Sequence, residues 1–556
     1  MKSLLVAIAA VLALAALPAV LAAQHEDMPG MSPPKKPATL LPGTGAHGHP
    51  IATSSPQAQK FFDQGMTMAY GFNHEEAFRS FAKAAELDPK AAMPHWGMAI
   101  VLGSNYNDPA PVDERLQKAR AEVEKALALS ADGSGPENER AYVEALAIRY
   151  PADLSRADKA KIASDYAAAM KALSARYPDD LDAATLYAES LMNLTPWKLW
   201  TPDGQPGENT VEIVAVLESV LKRDPDHPGA NHLYIHAVEA SKSPERAMAS
   251  ARRLETLVPG AGHLVHMPAH IYVRTGDYVA AEKANTIAAE ADRAYIRETG
   301  AQGMYPVMYY NHNVHFESYA ATMAGRHAAA KRSGDRLYDE VLPVVAMDPM
   351  LQGFLLQPAF VAVRFRKWDD VRKLQDPGAK LPIARAGWFW ARGMAAAGSG
   401  NVKEAEKERA AFGAARAAIP EKSMAGPQNS AEAVFTLAAN VLDARIAEAG
   451  GDAAAAIASW RKAVEAQDAL AYDEPPGWYY PTRESLGAAL LRAGQAAEAE
   501  AVFRADLEQH PRNGRSLYGL SRSLEAQKKT ADAAFARAQF EKAWKDADTP
   551  VRLEDL

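Results

Sequence analysis

Apolar residues along this chain recur at intervals of three and four, in alanine-rich stretches of about 12 to 18 residues that start near Gln57. Asp-Pro, Gly-Asp and Pro-Gly pairs, which end helices, separate the stretches. No stretch alternates apolar and polar positions with the β-branched residues of a strand. The pattern predicts an all-α chain of successive helices. Two regions ahead of Gln57 read differently. Residues 4–17 form an apolar run behind Met1 and Lys2, followed by Pro18 and the small residues Ala19, Ala22 and Ala23, which predicts a secretory signal over residues 1–23. An uncleaved anchor is the alternative, because apolar residues continue to Ala23, but Pro18 and the small residues favour cleavage near Ala22 or Ala23. Residues 24–48, rich in Pro, Gly and Lys, read as a flexible leader. No later segment reaches the roughly 18 uninterrupted apolar residues of a membrane span. The mature chain is therefore expected in the periplasm or secreted, without stable membrane insertion.

The helical stretches repeat. Counted from Ala58 as position 1, Gly65 stands at position 8, Ala77 at 20, Phe81 at 24, Ala84 at 27 and Pro89 at 32. Counted from Tyr480, Gly487, Ala499, Phe503 and Pro511 take positions 8, 20, 24 and 32. Small residues where two helices touch, an aromatic on the second helix and a closing proline, in a unit of 34 residues, resemble the tetratricopeptide repeat. Gly and Ala let the paired helices approach, and the large residue fills the gap to the next pair. The resemblance implies a helical-hairpin solenoid wound as a right-handed superhelix, with a first array over 57–325 and a second over 326–546. Longer connections at 104–111, 195–208 and 472–481 carry Tyr106, Trp197, Trp200, Trp478, Tyr479 and Tyr480. Such loops either serve function or plug gaps between imperfect repeats with their aromatics.

Histidine placement changes the picture from scaffold to chemistry. Eight of the 15 histidines fall between His227 and His315. With a unit starting at Pro228, His232 and His236 hold positions 5 and 9; with the next at Gly262, His263, His266 and His270 hold 2, 5 and 9. A third unit, placed so that Gly325 falls at 15, puts His312 at 2 and His315 at 5, leaving 296–310 as an insertion. Positions 2, 5 and 9 share one stripe of a first helix, and stacked first helices line the inner wall of a repeat superhelix. Seven imidazoles from three helices are thus expected on one patch of the concave face. Imidazoles at i and i+4 form a bidentate site, and seven nitrogens suffice for one metal, or for two with three imidazoles each. Proline at 268 is expected to distort the helix between His266 and His270. Glu239, on the same stripe, is a candidate oxygen ligand or base. Arg274, Tyr309 and Tyr310 are candidate ligand contacts, as are Trp478, Tyr479 and Arg483 near the long connection at 472–481.

Composition narrows the chemistry. The chain has no cysteine, which removes disulfides, thiolate metal sites and a cysteine nucleophile. Imidazole ligands without sulfur suit copper, zinc or nickel, and a divalent copper or zinc ion is the expected cofactor, the alternatives being a metal-free histidine-lined pocket that binds a ligand or handles protons, and coincidental packing. The net charge of -8 is spread over helices of mixed sign, so no nucleic-acid surface is expected. The sequence has no Walker loop, no dinucleotide fingerprint, no His-Glu-x-x-His and no Gly-x-Ser-x-Gly, and no nucleotide cofactor is expected. His74 and His95, near the first repeat, read as structural, with Asn73 as a helix cap. Cleavage after Ala22 would leave Ala23-Gln24-His25, a start able to chelate copper or nickel.

The segments Asn231-His232-Leu233-Tyr234-Ile235-His236, Gly262-His263-Leu264-Val265-His266-Met267-Pro268-Ala269-His270-Ile271-Tyr272 and Asn311-His312-Asn313-Val314-His315-Phe316 resemble a histidine-bearing group of exported bacterial tetratricopeptide-repeat proteins. His49-Pro50 and Trp478-Tyr479-Tyr480-Pro481-Thr482-Arg483-Glu484 extend the resemblance over most of the mature chain. Tetratricopeptide proteins commonly hold ligands at these inner positions, often the carboxylate end of a peptide, using Lys, Arg and Asn. Histidine in their place argues against that capture. Two functions stay open: a metal-dependent enzyme acting on a small molecule, or a non-catalytic module that holds a protein or peptide in the groove or sequesters metal.

Overall fold

The computed structural model describes residues 36–131, 133, 135–153 and 158–556. The signal segment and Ala23-Gln24-His25 lie outside the described residues. Helices form the whole framework: among the described residues there is no β-strand, only isolated bridges such as Asn105 with Asp108. The all-α helical-hairpin solenoid of tetratricopeptide type is therefore what the chain builds. It divides into two compact units, one of Met1–Pro196 with Ala294–Pro306, the other of Trp197–Arg293 with Val307–Leu556.

Local chemistry starts several helices at the punctuation. The Ser55 hydroxyl accepts from the Ala58 amide at 3.2 Å ahead of the helix Pro56–Tyr70, and proline at its first position loses no needed donor. Asn73 caps His74–Leu87 by accepting from the Glu76 amide at 3.2 Å, as expected of it. Gly276, with φ of 78°, ends the helix Pro268–Thr275 in a left-handed turn.

What closes the helix pairs is the same ring-and-gap device in both units. In the first, a Cβ on Gly65 would lie 2.4 Å from the Phe81 ring, and one on Gly97 would lie 2.5 Å from it. In the second, Phe503 sits between Gly487 and Gly519, where added Cβ atoms would lie 2.6 and 2.2 Å from its ring. Each phenylalanine is fully buried, gripped by its own pair and by the following helix. Gly487→Val should therefore cost about 1–3 kcal/mol through overpacking. Gly413→Ala, in an exposed helix where the added carbon meets nothing within 4 Å, should instead stabilise by about 0.5–1 kcal/mol. Opposite movements of the melting temperature check both, and equal movements would refute the packing argument.

The first unit also buries carboxyls. Glu75 is 5% exposed, and its Oε1 accepts from the Met304 amide at 3.0 Å. Burial pushes its carboxyl up to about 8, against the pull of the Met304 and Tyr305 amides. Glu76 beside it, which accepts from the Tyr295 hydroxyl at 3.2 Å, is pushed by burial to about 7 despite Arg79. A carboxyl raised in the fold binds its proton more tightly folded than unfolded. Its contribution is complete below the ordinary carboxyl value and is lost progressively as pH rises from there to about 7 to 8. Each tenfold change in proton affinity is worth about 1.4 kcal/mol, so the loss is on the order of a few kcal/mol. Glu75→Gln should flatten the fall in melting temperature between about pH 5 and 8; an unchanged slope would contradict this.

Candidate metal centre

Three helices supply the site, and each is the first of its pair. Pro228–Val238 carries His232 and His236, with Glu239 at its C-terminal end. Gly262–His266 and Pro268–Thr275 carry His263, His266 and His270. Asn311–Met323 carries His312 and His315, entered through a π-helical turn, Tyr305–Tyr310, inside the stretch expected as an insertion. The distortion expected at Pro268 is present and small. The helix is interrupted at Met267, whose own backbone stays right-handed, and the His270 amide bonds the Met267 carbonyl at 3.2 Å.

The rings sort into two trios. The ligand nitrogens of His232, His236 and His263 lie within 4.8 Å of one another, and so do those of His266, His270 and His312. In repeat terms each trio combines positions 5 and 9 of one first helix with position 2 of the next. The stripe therefore advances by one helix per trio. His315, at position 5 of the third unit, would open another trio, but Tyr319 stands at its position 9. The His315 ring instead lies edge-on to Phe354 at 5.4 Å. The first five histidines are at most 2% exposed, and His312 is half-buried. They form a buried cluster of rings in contact with one another, not the open face expected. Trp197 (5.8 Å from His236), Tyr309 (5.0 Å from His263) and Phe316 (5.1 Å from His266) wall it.

Hydrogen bonds fix which nitrogen of each ring faces inward. His236 Nδ1 lies 2.8 Å from Glu239 Oε1, and His270 Nδ1 bonds Glu239 Oε2. One carboxylate thus holds a ring from each trio, with both oxygens engaged, and acts as a positioning residue. Burial opposes its charge, but the His270 and His236 imidazoles hold the Glu239 carboxyl below its ordinary range. His266 Nδ1 lies 2.6 Å from Asn285 Oδ1. The Asn285 amide nitrogen donates to the Ala281 carbonyl at 2.8 Å, so its oxygen must accept. Three rings therefore spend their N–H outward and turn the Nε2 lone pair inward.

These lone pairs meet. His266 Nε2 and His270 Nε2 are 2.7 Å apart, with both N–H groups committed elsewhere. His312 Nε2 is 3.1 Å from His266 Nε2, and in the other trio His263 Nε2 is 3.2 Å from His232 Nε2, contacts in which one ring can donate its N–H to the other. Two acceptors as close as the His266 and His270 nitrogens repel unless a cation lies between them. A proton is a poor candidate: burial, reinforced by neighbouring imidazoles, lowers the basicity of His263, His266 and His312 well below the ordinary value. His270 is lowered by burial even beside Glu239. Nitrogens bound to zinc or copper at about 2.0–2.1 Å stand roughly 3 Å apart. The buried histidine groups have the composition and spacing to hold a metal ion.

The remaining candidates are placed as follows. Arg274 donates to the Glu239 carbonyl at 3.0 Å and the Ser241 carbonyl at 3.2 Å, pinning the end of the first histidine helix. Tyr310 turns away to Glu340, its hydroxyl donating at 2.8 Å. Trp478 and Tyr479 are core residues of the second unit, Tyr479 stacking on Phe360 at 4.4 Å and Trp478 packing against Trp390 at 5.4 Å. Arg483 is tied to Asp468 at 2.6 Å. The structure brings none of these last four to the trios. Trp478 and Tyr479 of the long connection at 472–481 fill a gap in the core, while its start reaches the site, where the Tyr472 ring lies 5.8 Å from the Arg274 guanidinium and the buried Glu474 carboxyl is raised by burial and by the nearby Glu239.

His95 pairs with Glu122 at 2.7 Å, and His74, which burial first and then Arg115 and Arg149 lower to about 3, is a neutral core ring, as expected of both. His47 and His49 close on Asp182 within the first unit at 3.1 and 2.8 Å. Asn285 is the residue that sequence reasoning missed. Its signal was available: it occupies position 24 of its unit, where Phe81 and Phe503 stand elsewhere. A polar residue in the plug position marks a ring to be held.

No protein-family model matches the chain, and no curated protein matches it. Among solved structures, the human IFIT1 dimer with m7Gppp-AAAA is 14% identical over 89% of this chain and 92% of that one, with a TM-score of 0.31. Yeast Tom70 is 11% identical over 86% and 98%, with a TM-score of 0.33. The APC/C hetero-tetramer Cut9–Hcn1 is 12% identical over 89% and 95%, with a TM-score of 0.29. Likeness at these scores carries no functional argument, so the helix pairs and the two histidine trios are what define this chain.

Proposed function

We propose that this chain is an exported metal protein whose helical repeats hold two neighbouring divalent transition-metal ions, one per histidine trio, and that it acts as a metal-dependent enzyme on a small molecule. The observation that carries the reading is the 2.7 Å approach of His266 Nε2 to His270 Nε2 while Asn285 and Glu239 engage both opposite nitrogens. Six imidazoles without thiolate favour copper or zinc. Export rests on the signal pattern of residues 1–23.

Three protein ligands per ion leave a position for a small molecule, which distinguishes a catalytic site from a closed structural one. A metal so held supplies Lewis acidity. The chain's own residues do the rest: Glu239 orients one ring in each trio, Asn285 orients His266, and Trp197, Tyr309 and Phe316 limit water and substrate size. A sequestering role is the competing reading, and the burial of five of the six rings favours it. Copper-loaded protein titrated with azide separates the two. An absorption change saturating with azide supports the open position; an unchanged spectrum on fully loaded protein would rule out the enzyme reading and leave sequestration.

A further inference from the structure

The second unit contains a cluster of charge remote in sequence from the histidines. Residues 553–556 are gripped by four arginines through four successive main-chain oxygens. Arg492 donates to Leu553 at 3.2 Å, Arg366 to Glu554, Arg515 to Asp555 at 2.8 Å and Arg445 to Leu556 at 2.8 Å. Beneath this strap lies a cavity of about 240 Å³ lined by these arginines, Arg364 and the rings of Trp368, Tyr479 and Tyr480.

Around the cavity, not every guanidinium has a carboxylate in direct contact. Arg364 is paired twice with Glu484, at 2.6 and 2.9 Å. Arg445 and Arg492 share Glu448, at 2.9 and 2.6 Å. The Asp555 carboxylate is engaged by Arg552 at 3.0 Å, and Glu554 is exposed. That leaves Arg366 and Arg515. Among the described residues both donate hydrogen bonds only to main-chain oxygens, and otherwise lie over the rings of Trp368 and Phe365. Arg515 is 3% exposed, and its Nε has no hydrogen-bond partner. Burial first and the neighbouring Arg364 second lower Arg515 to about 9, against the pull of the nearby Glu484 and Asp555 carboxylates. A guanidinium offers forked donors that match oxyanions.

We propose that this cavity binds one small polyvalent oxyanion, phosphate or a compact polycarboxylate, between Arg366 and Arg515, with residues 553–556 as the strap that closes over it. The volume, below the roughly 300–1,000 Å³ of sites for larger ligands, admits a compact anion. A bound anion would give Arg366 and Arg515 the direct oxyanion contact they lack and leave the carbonyl grip of the strap in place.

Titration calorimetry on the full chain, in a phosphate-free buffer of constant ionic strength, tests this with inorganic phosphate and with succinate as separate arms. Saturable binding of one anion per chain is expected, and the arm that saturates identifies the class. Arg366→Gln should weaken it at least tenfold while helicity and metal retention at the histidines stay unchanged, which separates this site from the metal centre. If neither anion binds more than chloride does, or if Arg366→Gln binds as tightly as the unmodified chain, the proposal is overturned. Arg515→Gln serves as a second variant. Should it fail to fold, Arg366→Gln alone decides.

Discussion

A chain in which His232 and His266 are both replaced by alanine should lose both metal equivalents and keep its far-ultraviolet helicity, whereas His266→Ala alone should keep one. Each replacement removes one imidazole from a different trio, since His232 belongs with His236 and His263, and His266 with His270 and His312. Loss of one of three ligands leaves a two-coordinate pair that cannot compete with buffer for the ion. The alanines also relieve the crowding between His266 and His270 at 2.7 Å, so the fold is not expected to suffer in the metal-free state. With free metal at 100 times Kd, each site contributes about 2.7 kcal/mol to stability by mass action. The added metal should raise the melting temperature of the unmodified chain most, of His266→Ala less, and of the double variant not at all. Elemental analysis after gel filtration gives the stoichiometry. Equal metal content in the double variant and the unmodified chain would remove the trios from consideration.

Glu239→Gln should weaken both ions together, and Asn285→Leu only one. Glu239 accepts from His236 in the first trio and from His270 in the second. A glutamine keeps an oxygen for one ring but without the charge that strengthens that bond, and turns an N–H toward the other, forcing that ring to flip its tautomer, so both trios lose orienting strength. Losing such an orienting partner typically costs 10–100-fold in affinity. Among the six histidines Asn285 bonds His266, so leucine there should weaken the second trio by a similar factor and leave the first intact. Competition with a chelator, followed separately for the two equivalents, reads this out. Identical responses to the two substitutions would mean that the trios are not linked through Glu239. Glu239→Gln is also the sharper test of its role: as a positioning residue it should change affinity before it changes any turnover of the loaded protein.

The amino-acid pattern alone determined the helices, their caps and the repeat. Period, punctuation and propensity are local properties, and Phe81 against Gly65 or Phe503 against Gly487 are encoded at fixed spacing within one unit. It also determined that His232 with His236, and His266 with His270, share a helix face, because i and i+4 lie one turn apart whatever surrounds them. The grouping across helices was not legible, since the offset between neighbouring first helices is set by packing. Only the tertiary structure decided that position 2 of one helix meets positions 5 and 9 of the one before, which brings in His263 and His312 and leaves His315 beside Phe354. It alone placed Trp478 and Tyr479 in the core and sank the imidazoles out of solvent. Burial is what makes inward lone pairs expensive without a cation, and burial belongs to the assembled helices, not to any one of them.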